Sequence, residues 1–239
     1  MPVSTLPRPT PGACFQTSSG GLVVIRAWRG EGSYARVYQA TYAGPGEGPL
    51  DARPCALKLP KPEIPGSTER ILGEGDLLAR LDHPRVVALL DRGEAGLPLL
   101  VLEWLDGETL LDLVRAKRRL PLRQALEHLA GLLEALAHCH ERGLSHGDVR
   151  AQNLLVLPAR GAVLTDPEPV APSTPAADLR AAGGLLHLML TGQEPVLGEA
   201  LKAGGYNREV IALSAQLASE APPPAQKLLA EIQRLRARL

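Results

Sequence analysis

The pattern of this chain changes once, near residue 105, and that change limits the fold more than any single motif. Before it, short runs rich in Val, Tyr, Thr and Leu are broken by glycine and proline; after it, Leu and Ala recur at helical spacing. Leu22–Trp28, Ala35–Ala43, Cys55–Leu59, Val86–Asp91 and Leu97–Trp104 read as strands. One helix is predicted among them over Ser67–Leu81, with Ser67 as its N-cap. A turn at Leu105–Glu108 leads into helices over Leu110–Ala116, Pro121–Arg142, Ala177–Leu190, Val210–Ser219 and Pro224–Leu239. Two short strands, Leu154–Leu157 and Ala162–Asp166, interrupt that helical part. Strands followed by helices imply an α+β protein with two lobes. Residues 1–18, with four prolines and no periodicity, read as a loose arm; 19–104 form the first lobe and 105–239 the second.

A length of 239 residues allows one substantial core or two small lobes. Basic and acidic side chains number 26 each, so bulk charge favours neither nucleic acid nor membranes as partners. Cys14, Cys55 and Cys139 are scattered and odd in number, which suits reduced thiols. With no apolar run of membrane length and no charged-then-apolar leader, the expectation is a soluble, cytoplasmic protein.

The stretch Ser145–Leu155 carries the chemistry. Asp148 and Asn153 stand five residues apart on a loop that runs into the apolar strand Leu154–Leu157. Such a loop can aim a carboxylate at a nucleophile's proton while an amide oxygen holds a metal ion, the layout of phosphoryl transfer. Gly30 and Gly32 lie between the first two strands, where a missing Cβ lets the backbone approach phosphate oxygens; the plain alternative is a tight hairpin. Lys58 sits among apolar neighbours, and such a lysine usually snorkels to solvent. Glu74, between Gly73 and Gly75, reads either as a solvated acid or as the partner of Lys58. The two glycines each weaken the helix by up to about 1 kcal/mol relative to alanine.

Taken in order, these motifs resemble the protein kinase domain, specifically the eukaryotic-like serine/threonine kinases in a small, trimmed form, over residues 20–239. Gly30, Gly32 and Val37 match the glycine-rich loop, with Ala35 at the third glycine's place; Ala56 and Lys58 match the lysine strand. Glu74 matches the C-helix glutamate, Leu102–Leu105 the hinge, and Asp166 the start of the metal-binding Asp-Phe-Gly. His146, Asp148 and Asn153 fit the catalytic loop, and Asp178 fits the acid that braces that loop's backbone. The resemblance implies a small antiparallel N-lobe sheet, a mainly helical C-lobe, and ATP and Mg²⁺ as cofactors. It implies that Lys58 neutralises the α- and β-phosphates and that Glu74 pins it. Asn153 and Asp166 would hold Mg²⁺, an oxygen-seeking cation, and Asp148 would act as base. Arg150 would stabilise charge on the γ-phosphoryl group. Val37, Ala56, Leu110 and Leu155 would enclose adenine, the backbones of Glu103 and Leu105 would bond its edge, and Leu78, Leu89 and His146 would stack as a spine.

The departures bear on regulation and substrate. Gly147 replaces the arginine that normally grips a phosphate on the activation loop. Asp166-Pro167-Glu168 replaces Asp-Phe-Gly; proline biases Asp166 toward extended backbone, and Glu168 is either a solvated turn residue or an extra Mg²⁺ ligand. Asp178 follows Asp166 by only twelve positions, too few for an ordinary activation segment, and Val170-Ala171-Pro172 is at best its remnant. The leading expectation is transfer to a Ser/Thr hydroxyl of a protein substrate without a phosphorylation-gated loop. The alternatives are a pseudokinase acting as a nucleotide-binding interaction module, and a small-molecule phosphotransferase, since His146-Gly147-Asp148 also resembles the aminoglycoside and choline enzymes. His138-Cys139-His140 reads poorly as a zinc site, because i and i+2 on a helix diverge. Arg115, Lys117, Arg118 and Arg119 read as a solvated connector or as a docking patch for an acidic partner.

Overall fold

Alternating burial along two long strands organises the first part of the molecule. In the computed structural model, which describes residues 8–94, 96–170, 172–194, 201 and 205–238, Leu22–Glu31 (β2) and Ala35–Ala43 (β3) form a hairpin. Their inward faces place Val23, Ile25, Tyr38, Ala40 and Tyr42 in one apolar layer. Arg53–Pro60 (β4) and Pro98–Glu103 (β6) complete it with Cys55, Leu57, Leu59, Leu99 and Val101. Cys14–Gln16 (β1) and Leu89–Glu94 (β5) are the edges of an antiparallel sheet ordered β1-β2-β3-β4-β6-β5. The helix Ser67–Leu78 (α1) packs against β4 and β6.

The described chain divides into two units. One holds these elements, up to Asp82 and again over Val87–Trp104; the other holds His83–Val86 and the residues from Leu105 onward. In the second, Glu108–Thr109 (β7), Leu154–Leu157 (β8) and Gly161–Leu164 (β9) form a three-stranded antiparallel sheet. Around it lie the helices Leu110–Lys117 (α2), Leu122–Glu141 (α3), Pro175–Thr191 (α4), Arg208–Ala218 (α5) and Ala225–Arg236 (α6). The twenty-residue α3 is the hub: its Leu126, Leu129, Leu132, Leu133 and Leu136 are buried, and it packs on α4, α6 and β9. The architecture is α+β, an antiparallel sheet followed by a mainly helical region, as the sequence implied.

Four local expectations are corrected. Within 1–18, read as a loose arm, Cys14–Gln16 pairs with β2, while residues 1–7 lie outside the described residues. Ser67 does not cap α1: Gly66 holds the cap position in left-handed conformation, and the Ser67 hydroxyl donates to Lys61 O at 2.6 Å. The helix ends at Leu78 rather than Leu81. Val86, placed in a strand, instead bridges to Leu164 of β9, and β5 begins at Leu89. The Ala171 of Val170-Ala171-Pro172 and Leu239 of the last helix lie outside the described residues. Among the described residues no helix is long and apolar enough to cross a membrane.

Candidate active site

In the first unit the site is built on β4 and α1. Lys58 points inward from β4 and is 3 % exposed, and Glu74 from α1 is fully buried. The Lys58 ammonium donates to Glu74 Oε2 at 2.6 Å and Oε1 at 2.8 Å. This settles the two sequence readings: the lysine does not snorkel and the glutamate is not a solvated acid. Gly75 explains how they meet, since a Cβ there would come within 2.7 Å of Leu100 Cδ2 on β6. The glycine that lowers helix propensity lets α1 lie close on the sheet. Tyr34, at the β2–β3 turn, caps the pair, with its hydroxyl 3.3 Å from Glu74 Oε2 and 3.4 Å from Lys58 Nζ, and the ammonium 5.1 Å from its ring centre.

Sequence reasoning missed Tyr34, although an aromatic residue at the tip of a glycine-bearing hairpin was a visible signal. The turn itself is closed by Gly32 N donating to Ala35 O at 2.9 Å, and Lys61 Nζ donates to Gly32 O at 2.7 Å. Neither Gly30 nor Gly32 has a positive φ, and a Cβ at either would meet nothing within 4 Å. The fold therefore does not need glycine at these positions, and both leave a face of the hairpin unfilled. Val37 on β3 and Ala56 on β4 are half-buried, paired with Lys58 and Gln39 respectively, and Glu103 ends β6 with its N–H donating to Ala88 O at 3.0 Å.

In the second unit the hairpin β8–β9 aligns the loops before and after it, pairing Leu154 with Leu164. Thr165 N donates to Asn153 O at 2.9 Å, which seats Asp166 beside the loop that carries Asn153. The Asn153 amide nitrogen donates to Asp148 Oδ2 at 2.8 Å and to Asp148 O at 3.0 Å. That commits the nitrogen and leaves Oδ1 as the amide's acceptor face. The Asp148 carboxylate is held in one orientation. Asp166 accepts from the Thr165 hydroxyl at 2.7 Å and has φ +58°, where extended backbone was expected from the following proline. Left-handed backbone at a non-glycine residue costs on the order of 1–2 kcal/mol, sustained here by the Thr165 contacts and by buried Pro167. The Asn153 amide oxygen and the Asp166 carboxylate are oxygen donors of the kind a hard cation such as Mg²⁺ prefers.

Asp178, in the first turn of α4, braces the loop that carries Asp148. It is 2 % exposed and accepts from His146 N at 2.8 Å, Gly147 N at 2.9 Å and His140 Nε2 at 2.9 Å. His140 is a second residue that sequence reasoning did not assign here. His146 is fully enclosed, and burial pushes its pKa below the ordinary value. Its Nε2 donates to Thr165 O at 3.0 Å and its Nδ1 accepts from Asp148 N at 3.3 Å, the pattern of a neutral ring. Gly147 has φ +81°, and a Cβ there would sit 3.1 Å from Glu168 O. Glu168 N donates to His146 O at 2.8 Å, so the short segment after Asp166 folds back on the loop.

Arg150 is exposed, its Nε donating to Gln152 Oε1 at 3.1 Å. Leu105 and Leu155 are half-buried and Leu110 is fully buried. His138 stacks on His83 with ring centres 4.8 Å apart, while His140 turns to Asp178, so the two imidazoles diverge. Cys55 and Cys139 are buried thiols whose pKa values burial pushes up to about 12, which keeps them protonated and unreactive.

Residues 28–166, more than half of the chain, match the family model of the protein kinase domain. A probable serine/threonine-protein kinase of Streptomyces coelicolor is 31% identical over 145 residues, which cover 57% of this chain and 21% of that protein. The serine/threonine-protein kinase PknB of Mycobacterium leprae is 35% identical over 112 residues, 44% of this chain and 18% of that protein. PknL of Mycobacterium tuberculosis, also a serine/threonine-protein kinase, is 28% identical over 188 residues, 65% of this chain and 47% of that protein. The matched region thus spans about a fifth to a half of these relatives.

Proposed function

The chain belongs to the protein kinase domain family, and on that premise we propose that it transfers the γ-phosphoryl group of ATP, with Mg²⁺, to a serine or threonine hydroxyl of a protein. Phosphorylation of an activation loop is not required. In the first unit, Gly30 and Gly32 present bare backbone to the phosphates, and Lys58 binds α- and β-phosphate oxygens from the position that Glu74 fixes. Val37 and Ala56 lie against adenine, and the backbone of Glu103 bonds its edge. In the second unit, Asn153 and Asp166 hold the cation. Bound Mg²⁺ neutralises charge on the phosphate oxygens. Asp148, oriented by the Asn153 amide, aligns the acceptor hydroxyl and takes its proton, and Arg150 offsets charge on the transferred group.

The observation that carries this reading is the Lys58–Glu74 pair. Burying two ions is costly, and such a pair contributes little net stability. Holding an ammonium in one place is, however, what phosphate binding requires. The test is labelled Mg-ATP added to purified protein and to lysate. Asp148→Asn is expected to reduce transfer by at least ~100-fold while keeping the melting shift that Mg-ATP induces. Equal labelling by the variant refutes the role of Asp148.

One observation favours a second reading, the pseudokinase. Glu74 and Tyr34 already match the three ammonium donors of Lys58. A wild-type melting shift with no labelling of itself or of any lysate protein decides for that reading.

A further inference from the structure

Between Asp112 and Glu127 the chain has no acidic residue and five basic ones, Arg115, Lys117, Arg118, Arg119 and Arg123. In a chain of zero net charge this is a marked local excess. Arg115 and Lys117 fall in the last turn of α2, where cations complement the helix dipole. That account does not reach Arg118 and Arg119, which lie past the helix. Among the described residues none of the five makes an ion pair or side-chain hydrogen bond.

The connector that carries them is firmly seated. Leu120 N donates to Met189 O at 2.6 Å, and Arg118 holds φ +65°, a strained value for a non-glycine residue. Arg118 O presses on Gly192 so closely that a Cβ there would lie 1.8 Å away. Beside this loop a cavity of about 430 Å³ opens, lined by Lys117 and Arg119 and floored by Leu120, Leu122, Leu190 and Tyr206. The Tyr206 hydroxyl donates to Leu190 O at 2.8 Å, which commits its proton.

We propose that this cavity is a docking site for an acidic peptide segment of a protein partner. An aliphatic side chain of that segment enters the cavity, and its carboxylates meet Lys117 and Arg119. Charge complementarity selects the occupant, because exposed cations that pair with no described residue, beside a hollow lined in part by leucines, favour an anionic chain with an apolar anchor. A nucleic acid fits less well: the lining offers a single aromatic ring for stacking, and the chain as a whole carries no basic excess.

The test is independent of catalysis. A short fluorescein-labelled peptide with one leucine beside a run of glutamates is titrated, without nucleotide, into the full chain by fluorescence anisotropy. Lys117→Glu with Arg119→Glu, both on exposed side chains, is expected to weaken binding about tenfold or more, with a melting temperature lowered by no more than a few degrees, the cost of reversing a cation at the α2 C-terminus. Replacing the peptide's leucine by aspartate is expected to weaken it similarly. No binding to the wild type, equal binding by the charge-reversed variant, or equal binding of the leucine-free peptide or of a single-stranded oligonucleotide overturns the proposal.

Discussion

Replacing Glu74 by glutamine tests the buried pair while preserving its shape. At 2.6 and 2.8 Å, with an effective dielectric of about 20, the attraction to the Lys58 ammonium is roughly 6 kcal/mol. Most of that is spent on removing both ions from water, because Lys58 is 3 % exposed and Glu74 not at all. Glu74→Gln deletes the attraction and leaves the ammonium's desolvation in place. The expected loss is about 3–5 kcal/mol, a drop of roughly 10 °C in melting temperature. Both tryptophans, Trp28 and Trp104, belong to the first unit, so intrinsic fluorescence follows the unfolding of that unit specifically. Lys58→Met and Glu74→Leu should each be costly, and the double variant should recover at least half the loss, because it removes both desolvated charges. If Glu74→Gln melts within about 1 °C of the wild type, Lys58 is solvated and the pair is not the buried anchor argued for it.

Two further variants probe the second unit. Asp178→Asn keeps one acceptor oxygen but turns an amide N–H₂ toward donors, leaving a backbone N–H of His146 or Gly147 without its partner. Chemical denaturation followed by far-UV circular dichroism should show a loss of about 2–3 kcal/mol, and a change below about 0.5 would contradict the bracing role. His128, on α3, is 5 % exposed and neither ring nitrogen has a hydrogen-bond partner. Burial holds its pKa below the ordinary value, with smaller opposing effects of Glu127 and Lys117. His128→Leu should therefore stabilise by about 1–2 kcal/mol at pH 8. Below about pH 6.5 the unfolded chain takes up a proton that the folded His128 does not. Wild-type stability then falls by up to about 1.4 kcal/mol per pH unit for this group, and the variant's advantage should widen as pH drops. A constant difference between pH 8 and pH 5.5 would show that the imidazole is reached by water.

How much of this could be read beforehand follows from where the determining forces lie. β3 was legible to the residue because alternating Tyr38, Ala40 and Tyr42 form a half-buried strand by themselves. β1 was not, since three residues among prolines carry no pattern, and their order comes from pairing with β2. Ser67 looked like a cap, but Gly66 takes the left-handed turn that entry to α1 requires. Lys58, Glu74, Asp148, Asn153 and Asp166 are legible as residue types at set spacings along the chain. Tyr34 and His140 belong to no spacing pattern, because their roles arise from a turn and a helix face that bring them onto Glu74 and Asp178.

The two departures that stood out in the sequence, Gly147 and the Pro167 after Asp166, prove to be parts of one arrangement. Eleven residues are all that link Asp166 to the brace Asp178, so the chain must turn sharply as it leaves β9. It does so at Asp166, whose positive φ is paired with a rigid proline, and Glu168 returns to bond the carbonyl of His146. That return fills the space around Gly147: Glu168 O, Glu168 Cβ and Ser173 Cβ would lie 3.1–3.4 Å from any Cβ placed there. A long side chain at 147 would have to displace the segment, and at φ +81° it would also carry a backbone penalty of about 1–2 kcal/mol. Glycine at 147 is thus a consequence of the short connection. The loop that carries Asp148 is thus held from one side by Asp178 and from the other by the segment that follows Asp166.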